Sequence, residues 1–237
     1  MLKIKNTNIL GWEHAIRGIR NLMNSLERSD SGYRHCSDVT HTDMGLFDYP
    51  QNENDELEIG PEDLDLMIRL CSAGTDHRRF MGMITVYLDI TAPLYWWNEF
   101  DTYKVGTVAN FCSTMHKVAA KEFKIDDFSH EHLTQGSKLT LSETINQLNE
   151  CRSWYLRWDA MADEDKWKFD PAISCKKDIW WQMIQLLPSS YNQRRTVILN
   201  YEVLFNIYKS RQDHKLDEWC TFCDWIKELP YSELITI

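Results

Sequence analysis

The sequence predicts an α+β protein, mostly helical, built around a small antiparallel or mixed sheet. Three observations carry this. Most apolar residues recur at helical spacing, one short run alternates strictly, and long acidic or polar stretches separate the ordered segments. With 237 residues, 43% of them hydrophobic, the chain can bury a real core as one domain or two tightly joined ones.

The first helix is expected from Trp12 to Leu26, with Ile16, Ile19 and Met23 on one face. A polar surface loop follows near residues 28–60. Gly60-Pro61 then opens a second helix, with Glu62 and Asp63 in the first turn, where the helix dipole favours acids. Leu64, Met67, Ile68 and Cys71 form its buried stripe, and Gly74 ends it. The clearest strand is Met83 to Ile90, with Ile84, Val86, Leu88 and Ile90 facing one way and Thr85, Tyr87 and Asp89 the other. Thr91-Ala92-Pro93 breaks that pattern. Gly106-Thr107 offers a helix start for Val108, Phe111, Cys112, Met115 and Val118.

A second polar loop covers 124–138 and a third 159–171, with a helix from about Ser142 to Trp158 between them. Further helical patterns run up to Leu187-Pro188, from Thr196 to Arg211, and from Leu216 to Leu229.

Charge and composition narrow the function classes. Lys+Arg 26 against Asp+Glu 36 gives a net charge of −10, with no cationic cluster to neutralise a polyphosphate, so no nucleic-acid polymer is expected as partner. No signal peptide and no membrane-spanning apolar run is visible, so no membrane partner is expected either. The seven cysteines are odd in number and irregularly spaced, which fits reduced thiols in a cytoplasm. The ten tryptophans suit core or subunit contacts.

Several candidate sites each admit two readings. Cys220 and Cys223 form a CxxC, yet Trp219, Cys223 and Ile226 share a helical face, which favours core cysteines over a zinc or redox pair. His35, His41, His130 and His132 lie in polar loops without a partner at metal-ligand spacing, so no metal is expected. Asn200, Leu204, Ile207 and Arg211 fall in one helical stripe with an amide at one end and a guanidinium at the other. That stripe is either a binding face, or Arg211 simply complements the helix C-terminal dipole. The stretch Trp96 to Lys117, WWNEFDTYKVGTVANFCSTMHK, mixes rings, acids, hydroxyls and cations. It suits a site for a planar, anionic ligand, and equally an interface segment.

Taken together, these segments resemble the flavin-dependent thymidylate synthase family (the thymidylate-synthase-complementing-protein fold). The resemblance rests on His77 ahead of the strand, the strand Met83 to Ile90 with Ala92-Pro93, Leu187-Pro188, and Asn200, Asn206 and Arg211 on the late helix. It runs from about Ile9 to Glu228, with the polar loops divergent, and implies one domain over 1–237. Where the family has Arg-His-Arg, this chain has Thr102-Tyr103-Lys104, and a lysine cannot fork onto phosphate as arginine does. The family's substrate serine falls on Ser113 with a one-residue slip and on Cys112 without it. Its arginines become Thr114 or Met115 and Ile184, its glutamine becomes Glu99, and its glutamate becomes Gly82.

The resemblance implies FAD as cofactor, touched by His77, Lys104, Asn200 and Asn206. It implies a pyrimidine nucleotide such as dUMP as substrate, met by Glu99, Thr102, Tyr103, Ser113 and Arg211, with Arg211 catalytic through the pyrimidine carbonyl. Lys104, His116, Lys117 and Arg194 are left as candidate phosphate ligands. A folate one-carbon donor, reduced nicotinamide (NADPH) and a homotetramer with sites between subunits are implied as well. Asn206 lies off the stripe and is expected to face another part of the site. Two functions follow: C5 methylation or a related one-carbon alkylation, or a non-catalytic or altered-substrate nucleotide- or flavin-binding protein on the same fold.

Overall fold

The computed structural model describes residues 1–34, 56–111, 113–166, 170 and 172–237. In chain order the elements are β1 (Lys3–Leu10), α1 (Trp12–Leu22), β2 (Gly32–Arg34), β3 (Glu56–Glu58), α2 (Pro61–Ser72), β4 (Thr85–Pro93), α3 (Leu94–Phe100) and β5 (Val108–Phe111). They continue with α4 (Thr114–Lys117), α5 (Gln135–Arg157), α6 (Asp163–Lys166), α7 (Lys176–Leu186), β6 (Asn192–Asn200), α8 (Tyr201–Arg211) and α9 (Asp217–Lys227). This is the expected helix-rich α+β class around a small antiparallel sheet. The main sheet has the order β1-β4-β6-β5, and β2 and β3 form a separate antiparallel pair with Tyr33 opposite Leu57. No helix among the described residues is long and apolar enough to cross a membrane.

The chain forms two compact units. The first comprises residues 1–3, 90–102 and 110–195, and the second 4–89, 103–109 and 196–237. In the first, α5 and α7 enclose a core of Ile145, Leu148, Ile179 and Met183. Trp96 and Trp97 of α3 are fully buried there and pack on Phe100. In the second, Ile16 and Ile19 of α1, Met67 of α2 and Leu204 and Ile207 of α8 are buried, with Trp219, Phe222 and Ile226 of α9. Trp96, Trp97, Trp158 and Trp219 are buried in cores, Trp12, Trp154, Trp180 and Trp225 are half-buried, and Trp181 is exposed.

The alternation read for the central strand is present: Ile84, Val86, Leu88 and Ile90 are buried while Tyr87 is exposed. The strand begins at Thr85, because Met83 closes a 3-10 turn, and continues through Thr91-Ala92-Pro93 instead of breaking there. Pro93 is tolerated as its last residue, where a missing N–H removes no further ladder bond.

Four other boundaries differ from expectation. The first helix stops at Leu22, leaving Met23 exposed. Residues 108–111 are a strand rather than the start of a helix, and only Thr114–Lys117 coil afterwards. The helix placed from Ser142 begins at Gln135, because Thr134 caps it by accepting from the Ser137 N–H at 3.3 Å. The stretch Thr196 to Arg211 is not one helix: β6 occupies it up to Asn200, with Gln193, Arg195, Val197 and Leu199 alternating inward. Within the third polar loop, Asp163–Lys166 is helical, and residues 167–169 and 171 lie outside the described part, as do 35–55 of the first loop.

The α2 stripe is Asp63, Leu66, Met67, Leu70 and Cys71, with Leu64 and Ile68 half-buried. Asp63 does more than complement a dipole. It accepts from Arg20 Nε at 2.5 Å and from the hydroxyls of Ser29 and Ser31 at 2.6 Å each. Asp30 meanwhile caps α2 by accepting from the Glu62 and Asp63 N–H groups. Gly60 is required beside that cap, since a Cβ there would lie 2.1 Å from Asp30 Cγ.

Candidate functional site

Asn200 stands at the junction of β6 and α8, in extended conformation, and its Oδ1 accepts from the Val203 N–H at 3.0 Å. It is therefore the N-cap of α8 and not part of a helical stripe, which corrects the sequence reading of Asn200 and Arg211 as one helix face. The cap uses the carbonyl end of the amide, so Nδ2 remains a donor without a partner among the described residues.

The segment Tyr103–Ala109 belongs to the same unit and packs on this junction. Gly106 has φ +77°, and a Cβ on it would lie 3.0 Å from Asn200 Nδ2 and 3.2 Å from Val203 Cγ2. Glycine thus permits both the left-handed turn and the close approach of backbone to the helix start. Next to it the Thr107 hydroxyl is buried without a partner among the described residues, and so is Oε2 of Glu202 in the first turn of α8. One amide donor and two oxygens near the start of α8 are thus left unsatisfied among the described residues.

At the opposite end of α8, Arg211 is half-buried and held from several sides. Its Nε donates to the Tyr103 hydroxyl at 3.0 Å, and its Nη1 lies 3.0 Å from His214 Nε2. The guanidinium sits 4.7 Å above the Trp219 ring and 5.7 Å from the Tyr103 ring. Stacking and hydrogen bonding together fix the plane of this charge. Tyr103 and Gly106 thus bring one short segment to both ends of α8, and Lys104, exposed, lies between them.

Arg78 pairs with Glu202 Oε1 at 3.1 Å and covers the Phe205 ring at 4.1 Å. Exposed Asn206 follows Glu202 by four residues, hence on the same side of α8, and exposed His77 directly precedes Arg78. His77 and Asn206 are thus neighbours, in sequence or by one helix turn, of the two members of one ion pair.

The remaining candidates lie in the first unit. The Thr102 hydroxyl donates to the Glu99 carbonyl at 2.7 Å, closing the end of α3, while Glu99 itself is half-buried. Ser113 is at the start of α4 and lines a cavity of about 410 Å³ with Thr91, Lys117, Asn192 and Arg194. Its alternative, Cys112, lies outside the described residues.

Sequence reading missed Arg195. It is buried, donates from Nε to Gln193 Oε1 at 2.9 Å and from Nη1 to Asp101 Oδ1 at 2.7 Å, and lies between the Trp97 and Phe111 rings at 4.2 and 4.5 Å. Asp101 and Phe111 bracket the segment that carries Tyr103, Lys104 and Gly106. The signal was the alternation Gln193-Arg195-Val197-Leu199, hidden by reading the region as helix. Arg78 and Glu202 carried no local signal, because their partners are 124 residues apart in sequence.

The cysteine reading holds: Trp219, Cys223 and Ile226 are buried on one face of α9, and Cys220 is half-buried. Burial pushes the Cys223 thiol up to about 11 and that of Cys71 up to about 12, which makes both poor nucleophiles. His130 Nδ1 lies 2.8 Å from the Phe128 carbonyl, whereas His35, His41 and Cys36 fall outside the described residues.

No protein-family model matches the sequence, and no curated protein matches it. Among solved structures, flavin-dependent thymidylate synthase ThyX from Helicobacter pylori, complexed with FAD and dUMP, superposes with TM-score 0.61 at 14% identity, covering 99% of this chain and 97% of its own. A second structure of that enzyme with FAD and dUMP gives TM-score 0.59 at 13% identity over 100% and 97%. A UMP/dUMP methylase, PolB from Streptomyces cacaoi bound with 5-Br UMP, gives 0.51 at 11% identity over 98% and 92%. At such identities the likeness is one of fold: the chain has the fold of the ThyX thymidylate synthases.

Proposed function

We propose that this protein catalyses flavin-dependent C5 methylation, or a related one-carbon alkylation, of a pyrimidine deoxynucleotide such as dUMP. The observation that carries the reading is the pairing, in one unit, of the oriented Arg211 guanidinium with the unsatisfied polar atoms at the other end of α8. The fold neighbours complexed with FAD and dUMP, and the methylase bound with 5-Br UMP, support it.

FAD is the cofactor this function requires, and the residues present suit a flavin ring edge, which carries carbonyl acceptors and an N–H donor. His77, Lys104, Asn200 and Asn206 would hold the flavin, Asn200 through the Nδ2 donor that its cap leaves over. When bound and reduced, FAD would supply hydride, and reduced nicotinamide and a folate one-carbon donor are the proposed co-substrates. Arg211 binds the pyrimidine carbonyl and stabilises the negative charge that develops on the ring; Tyr103 and Trp219 keep it aimed, so little reorganisation is needed. Glu99, Thr102, Tyr103 and Ser113 are the proposed further substrate contacts. No cysteine nucleophile is required, in keeping with the raised thiols of Cys71 and Cys223. The chain acts as one functional domain over 1–237, in a cytoplasmic homotetramer whose sites draw on more than one subunit, with no membrane or nucleic-acid polymer as partner.

One observation favours a second reading, a non-catalytic or altered-substrate nucleotide- or flavin-binding protein. The triplet Thr102-Tyr103-Lys104 carries a single cation; Thr102 is bonded to the Glu99 carbonyl and Tyr103 to Arg211. Purified protein separates the two. A yellow protein that releases tritium from 5-labelled dUMP, and loses this with Arg211→Ala, is expected. A yellow protein inert towards every pyrimidine nucleotide supports the second reading, and a colourless one that takes up no added flavin overturns the flavin assignment.

A further inference from the structure

The cavity beside Ser113 lies wholly within the first unit and encloses about 410 Å³, within the usual range of small-molecule sites. Its walls bring together cations from separate parts of the chain: Lys3 of β1, Lys117 of α4, Lys121, and Arg194 of β6. Lys121 is bonded to Asp127, which neutralises it. Lys3, Lys117 and Arg194 have no ion-pair partner among the described residues, although Asp126 also lines the space. Three unpaired cations gathered at one concavity repel one another, and in a chain of net charge −10 this gathering runs against the overall balance.

The neutral lining matches the charge. Thr91 and Ser113 bring hydroxyls, and Asn192 accepts from Ser129 through Oδ1, which leaves its Nδ2 as a donor. Phe123, buried, and Tyr191 meet edge to face at 6.1 Å and supply an apolar wall. Cations, hydroxyls and a ring-lined wall suit a phosphate monoester attached to a planar group.

We propose that this cavity binds a phosphate monoester, with Arg194 as forked donor, Lys3 and Lys117 as point charges, and Ser113 and Thr91 as neutral donors. The identity of the ligand rests on the pyrimidine-nucleotide reading above; the anion site rests on the cavity alone. Lys104 and His116, the other cations near the central stretch, do not line it.

Calorimetric titration of the full chain with dUMP, deoxyuridine and inorganic phosphate tests this. Arg194→Gln and Lys117→Gln change exposed side chains, and unchanged circular dichroism checks that each folds. Each is expected to weaken dUMP binding at least tenfold while leaving any deoxyuridine binding unchanged. If dUMP binds equally to the wild type and both variants, the phosphate site is wrong and the nucleotide reading stands. If inorganic phosphate binds only to the wild type and dUMP no better than phosphate, the anion site stands and the nucleotide reading falls. Failure of the wild type to bind either anion overturns both.

Discussion

The phenolic oxygen of Tyr103 lies 3.0 Å from Nε of Arg211, across 108 residues of sequence, and the Tyr103 ring shares the guanidinium with Trp219. Arg211 is thus oriented in part by a segment far from it in sequence.

Replacing the guanidinium should separate charge from orientation. Arg211→Ala is expected to lower kcat for tritium release from dUMP about 100-fold or more, as loss of a transition-state donor does. Tyr103→Phe keeps the ring and removes one acceptor, so a drop of about tenfold or less is expected. Equal losses in the two variants would show that Tyr103 contributes more than orientation.

Asn200 offers a cleaner separation, because its two amide atoms have different tasks. Asn200→Asp retains the oxygen that caps α8 but removes the Nδ2 donor. Its melting temperature should stay near that of the wild type while flavin affinity falls at least about tenfold, roughly the worth of one hydrogen bond. Asn200→Ala should lose flavin affinity too, and about 1 kcal/mol of stability with the cap. Unchanged flavin affinity in Asn200→Asp would remove this residue from the cofactor set.

Arg195 holds Asp101 and Phe111, the two ends of the segment bearing Lys104. Arg195→Ala leaves both ends unclasped, so tryptic cleavage after Lys104 is expected to accelerate markedly. Arg195→Lys, which keeps the charge but not the planar stack, should fall between. Identical cleavage rates in all three proteins would show that the segment is held by its contacts to α8 alone.

Acid should unfold the second unit through Asp63. Burial by itself raises this carboxyl, but hydrogen bonds from Ser29, Ser31 and Arg20, with the Arg20 charge, outweigh it and hold Asp63 below the usual carboxylate value. Its contribution is therefore complete above the unfolded value of about 3.9 and is lost as pH falls through the lowered folded one. Asp63→Ala leaves Arg20 buried and uncompensated, and about 3–5 kcal/mol of stability should go with it at neutral pH. In urea unfolding followed from pH 7 to pH 2, the variant should show a flatter decline below about pH 4 than the wild type.

What the sequence determined by itself is what neighbours a few residues apart decide. The inward set Ile84, Val86, Leu88 and Ile90, the α1 pair Ile16 and Ile19, and the α9 face of Trp219, Cys223 and Ile226 follow from side-chain period alone. The resemblance named Asn200, Tyr103, Lys104 and Arg211, and the structure brings the segment 103–106 to both ends of α8. Tertiary structure decided where periodicity was ambiguous. Thr196, Val197 and Ile198 read by period as the start of the helix that runs to Arg211, yet pairing beside β4 and β5 makes them strand, because β-branched side chains fit a pleated surface and the sheet satisfies their backbone groups. That choice turns Asn200 from a face residue into a cap and makes Arg195 a buried clasp. Local period cannot reveal either role, since both depend on partners brought close only when the backbone's hydrogen bonds and the buried rings are satisfied together.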